Sequence, residues 1–117
     1  VAILLAGQAL ALAPPTHSDA LPRLSLGPAA TAPVQLKEFV QREVQAGRCV
    51  LADGAPPLDL AVLVAPNGRV RRIVPRAIGC PSVEQFAAGI VLRAARDSVR
   101  PPTSDTWYVT SVALSQP

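Results

Sequence analysis

The chain has 117 residues, enough for one domain, with half of them hydrophobic and a net charge of +3 from eleven basic and eight acidic residues. Its aromatic residues, Phe39, Phe86, Trp107 and Tyr108, are not interleaved with the arginines, so the mild basic balance points away from a nucleic-acid partner. The one histidine, His17, lies in a Pro-rich tract, and Asp53, Asp59, Glu84, Asp97 and Asp105 are scattered, which argues against an enzyme and against any cofactor or metal.

Residues 1–13 form an apolar, uncharged run too short for the ~20 residues that span a bilayer. The run reads as the h-region of a signal peptide, with small-x-small patterns at Ala9-Leu10-Ala11 and Ala11-Leu12-Ala13, or as a truncated membrane anchor. The expected location is periplasmic or secreted, with an inner-membrane tether as the alternative. Residues 14–33 hold Pro14, Pro15, Pro22, Pro28 and Pro33 among Ala, Ser, Thr and Gly, a composition expected to form an extended, solvated linker. A polyproline II rise of about 3.1 Å per residue gives it a reach of roughly 60 Å.

The folded domain is expected over 34–117. Leu36, Phe39, Val40 and Val44 repeat at helical spacing, predicting a helix over 34–46 with Pro33 before it, Gly47 after it and an i,i+4 pair between Glu38 and Arg42. Leu58 to Ala65 reads as a strand, Pro66-Asn67-Gly68-Arg69 as a hairpin turn centred on Asn-Gly, and Val70 to Ala77 as the returning strand. Pro75 places that strand at a sheet edge or a bulge, where Arg69, Arg71, Arg72 and Arg76 would also discourage unwanted pairing. Ser82 and Gln85 predict a capping box opening a second helix, along which Val83, Phe86, Ala87, Ile90 and Ala94 make an apolar stripe. Pro101-Pro102 ends that segment, and Trp107 to Leu114 is a third strand. The expected fold class is α+β: a small three-stranded antiparallel sheet with two helices on one face, in the order αββαβ.

Two cysteines in a chain expected to be exported suggest a disulfide. Cys49 precedes the hairpin and Cys80 follows it, so both come to the same end of the sheet. Neither a zinc ligand set nor a C-x-x-C redox motif accompanies them. Closing a loop of about 32 residues would stabilise the domain by about 3.5–4 kcal/mol on loop-entropy grounds.

The stretch LDLAVLVAPNGRVRRIVPRAIGCPSVEQFAAGIVLRAARDSVRPP, followed by WYVTSVAL, resembles the C-terminal domain of TonB-like energy transducers. It carries a strand, a tight N-G turn, a second strand running to a Gly, an acidic-x-x-Ala-Ala helix, an Arg-Pro exit and a last strand. The helix over 34–46 takes the place of the family's first helix. The family's Tyr-Pro before the first strand has no counterpart, and Asp97-Ser98-Val99 stands where an aromatic pair is usual. The resemblance implies a non-catalytic periplasmic interaction module serving energy transduction or transport across the envelope. It also implies binding by strand addition along the last strand, with Trp107, Tyr108, Val109 and Thr110 as partner-binding positions. Expected partners are an outer-membrane receptor or another envelope protein, or a second copy in a homodimer through edge strands. The alternative is a free secreted structural or inhibitor-like domain stabilised by its disulfide.

Overall fold

A computed structural model describes residues 20–27, 30, 33–51, 55–96 and 99–114. The apolar run over 1–13, His17, Asp53 and Asp97 lie outside the described residues. Two helices, α1 (Val34–Gln45) and α2 (Pro81–Ala95), accompany three strands, β1 (Leu58–Val64), β2 (Val70–Pro75) and β3 (Thr106–Val112). Both pairings are antiparallel and the strand order is β2-β1-β3. The expected α+β class and element order hold. Among the described residues no helix is long and apolar enough to cross a membrane.

Burial explains the central place of β1. Leu58, Leu60, Val62 and Val64 alternate along it and are all fully buried within one cluster with Leu36, Val83, Ala87, Val91 and Val112. Each such side chain contributes about 1.5–3 kcal/mol relative to exposure. Ala61 and Leu63, on the opposite face, are buried as well, so β1 reads as a continuous apolar run rather than an alternating one. Phe39 of α1 stacks on Phe86 of α2 with ring centroids 4.5 Å apart, which fixes the two helices against each other.

The helix ends show where local chemistry acts. After α1, Gly47 adopts φ +74°, its N–H donates to the Val44 carbonyl, and the Arg48 N–H donates to the Glu43 carbonyl. This doubly bonded C-terminus needs a residue without a Cβ penalty at that position. The predicted Glu38–Arg42 pair does not form; among the described residues Glu43 instead pairs with Arg48 at 2.7 Å. Val44, predicted on the apolar face, is exposed, and Glu43 takes the buried place beside α2.

The capping box at Ser82 does not form either. Pro81 supplies the first helical position and starts α2 earlier, with Cys80 as the preceding residue. Glu84 then does the capping: its Oε2 accepts from the backbone N–H groups of Ile78, at 3.0 Å, and Cys80, at 3.3 Å. Ser82 donates from its hydroxyl to Glu43 Oε1 at 2.5 Å.

The hairpin between β1 and β2 differs in turn type from the predicted Asn-Gly centre. Asn67 keeps a negative φ and only Gly68 is left-handed, at φ +82°. The Gly68 N–H donates to the Ala65 carbonyl and the Ala65 N–H donates to the Arg69 carbonyl, closing a three-residue loop, Pro66-Asn67-Gly68. Pro66 pre-sets the first turn position and so shifts the loop by one residue. A separate register irregularity lies further along the ladder, where Val64 pairs with Val70 but Leu63 with Arg72. Pro75 sits on edge strand β2, as expected, and pairs with Leu60.

Cys49 and Cys80 form the predicted disulfide, with Cα atoms 5.1 Å apart. Both are buried, and the bond ties the loop after α1 to the start of α2.

The solvation expected for the linker does not extend to its middle. Arg23 forms a parallel bridge with Val109, and Leu24 is buried in the core cluster with Leu26 packed against it. Covering apolar side chains at the rim of a small sheet outweighs the extended composition there.

A candidate interaction edge along the last strand

β3 is a sheet edge, because β1 is its only strand neighbour within the named sheet. Its register against β1 assigns each predicted binding residue to a face. Trp107 pairs with Leu63 and Val109 with Ala61, on the face turned away from the core cluster. Tyr108 pairs with Val62 and Thr110 with Leu60, on the helix side. Tyr108 is half-buried and packs against the core, while Val109 and Thr110 are each 2 % exposed. The four residues therefore form one strand but not one surface. Trp107 is the large half-buried side chain on the face away from the core cluster, and Tyr108 serves the core.

The backbone of β3 alternates in the same way. The Val109 N–H donates to the Pro22 carbonyl at 3.0 Å, and the Val109 carbonyl accepts from the Leu24 N–H at 2.9 Å. Those groups point away from β1. Since backbone direction alternates along a strand, Ser111 faces outward with Val109, whereas Tyr108 and Thr110 face β1. The outer side of β3 thus already holds one short bridge from the chain's own residues 22–24, which run parallel to it.

A side-chain relay links the 22–24 segment to β3 and β1 at this point. Arg23 donates through a terminal guanidinium nitrogen to Ser111 Oγ at 3.0 Å, and the Ser111 hydroxyl donates to Asp59 Oδ1 at 2.6 Å. Asp59 and Ser111 are register partners on β1 and β3, which places their side chains on the same face. The carboxylate so polarises the hydroxyl that meets the cation. Beyond the bridge, Ser25 and Leu26 line a shallow groove with Thr110 and Ser111.

The sequence pointed to β3 as a candidate binding edge but not to Pro22, Arg23, Leu24, Ser111 or Asp59, which the structure brings to it. One signal was present: Leu24 and Leu26 stand two apart, at strand period, inside an otherwise small-residue and proline tract.

A second polar cluster lies beside the disulfide. Glu43, buried at the end of α1, accepts from Ser82 and Arg48 through its two oxygens, and Cys80 Sγ lies 3.7 Å from Ser82 Oγ. The Ser82 hydrogen bond, aided by the Arg48 guanidinium, holds the Glu43 carboxyl below the usual carboxylate range against the opposing effect of burial. The cluster joins α1 to α2 and offers no nucleophile–base pair. Among the described residues no group of three His, Cys, Asp or Glu is placed to hold a metal ion.

No known protein family matches the sequence, and neither a curated protein nor a solved structure matches it.

Proposed function

We propose that the domain is a non-catalytic interaction module of the cell envelope that binds an extended protein segment by strand addition to β3. The observation that carries this reading is the outward-facing backbone of Val109, which accepts a hydrogen bond from Leu24 and donates one to Pro22 of the chain's own parallel 22–24 segment. Main-chain bonds give such recognition its affinity, and the flanking side chains give it specificity. Trp107, half-buried on the face away from the core cluster, supplies a large amphipathic side chain of a type that concentrates interface energy. The resemblance to TonB-like C-terminal domains supports the same edge and suggests a role in energy transduction or transport, with a periplasm-facing segment of an outer-membrane receptor or another envelope protein as partner. The buried disulfide suits an oxidising compartment.

The test is a titration of the isotopically labelled full chain with synthetic peptides from periplasm-facing segments of envelope proteins, followed by backbone amide shifts. Strand addition perturbs the amides over 107–111 in an alternating pattern. Perturbation confined to the helices, or absent for every peptide, would remove the basis of this reading. A free secreted structural or inhibitor-like domain would share the disulfide but show no such response.

A further inference from the structure

We propose that residues 22–24 are an internal occupant of the partner's place, and that the partner segment enters parallel to β3 with a basic residue in register with Val109 followed by an aliphatic one. This inference rests on the strand-addition reading and adds its polarity, its register and its side-chain chemistry.

Three observations converge on the same short segment. Its backbone bonds both outward groups of Val109. Its cation, Arg23, meets the Ser111 hydroxyl that is itself bonded to Asp59, so the edge presents an acceptor relay suited to a guanidinium or ammonium. Its next side chain, Leu24, turns to the other face, as strand alternation requires, and is buried in the core cluster. Backbone, charge and apolar contact thus occur at consecutive positions, which defines a ligand pattern of one basic and one aliphatic residue in an extended strand.

The strap is also short by construction. Pro22 has no N–H, so the strap cannot donate a further ladder bond on that side. Its ladder consists of the two bonds at Val109. A partner strand of five or six residues, the usual strand length, forms a longer ladder and displaces it. Occupancy by the strap lowers the apparent affinity for any partner by the fraction of molecules in which the edge is open.

The experiment uses the full chain and the probe peptide Ala-Leu-Pro-Arg-Leu-Ser-Leu-Gly, the sequence of residues 20–27. Binding in trans is read from the amide shifts of Val109 and Ser111. Two variants open the edge: Arg23→Glu, at an exposed position where folding is not at issue, and Leu24→Ala. Both are expected to bind the peptide at least about tenfold more tightly than the unaltered chain, as removal of a competing internal occupant requires. A peptide carrying Glu in place of Arg is expected to bind about tenfold more weakly than the probe, the loss of a charge-assisted contact. Equal affinity of the unaltered chain and both variants overturns the internal-occupant proposal while leaving strand addition standing. Equal binding of the two peptides overturns the basic-residue requirement. Failure of every chain to bind either peptide at β3, while other extended segments do bind there, overturns the ligand pattern. Failure of all extended segments overturns strand addition itself.

Discussion

Replacing both cysteines, Cys49→Ala with Cys80→Ala, removes a link between positions 31 residues apart in a domain with few other constraints on its denatured state. A closed loop of about 32 residues corresponds to about 3.7 kcal/mol of lost chain entropy at 25 °C. A domain of about 85 residues has a total stability of roughly 4–13 kcal/mol at 0.05–0.15 kcal/mol per residue. The bond therefore supplies between about a third and nearly all of the stability. Both sulfurs are buried, so alanine at these sites also leaves unfilled space and adds to the loss. Urea unfolding followed by far-UV circular dichroism measures the effect. With a slope of about 1 kcal/mol/M, the midpoint falls by about 3–4 M, or the variant is already unfolded in buffer. The slope rises, because the unlinked denatured chain exposes more surface. A midpoint shift worth less than about 1 kcal/mol would refute the reasoning, since it would mean that the denatured ensemble keeps the two ends together without the bond.

Three further perturbations probe other parts of the account. Leu24→Ala is expected to lower stability by about 2 kcal/mol in the same urea assay, the cost of truncating a packed leucine, whereas a solvated linker residue would change it by less than about 0.5 kcal/mol. Gly68→Ala forces a side chain into φ +82° with Pro101 Cγ 3.4 Å from the new methyl group. It is expected to cost about 1–2 kcal/mol, with no change if the loop can adopt a right-handed alternative. Glu43 has its pKa lowered in the folded state by Ser82 and Arg48, so its contribution is present above the ordinary carboxylate pKa and is lost as the pH falls through the folded value. Stability measured from pH 7 down to pH 3 should thus fall more steeply below about pH 4 in the unaltered chain than in Glu43→Gln, and identical acid limbs would contradict the assignment.

The sheet and its two helices were legible because their signals are local and redundant. β1 combines a hydrophobic run with a turn at its end, and α2 combines an apolar stripe with a proline stop. The disulfide followed from the placement of two cysteines at either side of a hairpin. Details failed where one residue changes which of two local patterns prevails. Pro81 starts α2 before Ser82, so Ser82 is freed to bond Glu43 and Glu84 becomes the cap. Pro66 turns an apparent Asn-Gly two-residue turn into a three-residue loop. The edge itself was legible as a strand rich in β-formers, but its occupant was not. Pro22, Arg23 and Leu24 lie more than eighty residues from Val109 and Ser111, in a tract whose composition favours solvated chain, and no local periodicity encodes a contact of that separation. The burial of Glu43 was equally hidden, because only the approach of α2 makes a carboxylate at the end of α1 worth enclosing.

Strand addition at β3 is tested most directly by amide hydrogen exchange of the full chain, with and without a saturating extended peptide. Strand addition gives added protection at Ser111, retained protection at Val109 as the partner's bonds replace those of Pro22 and Leu24, and little change at Tyr108 and Thr110, which face β1. Protection that rises evenly over 106–112, or that appears only in α1 and α2, would contradict it.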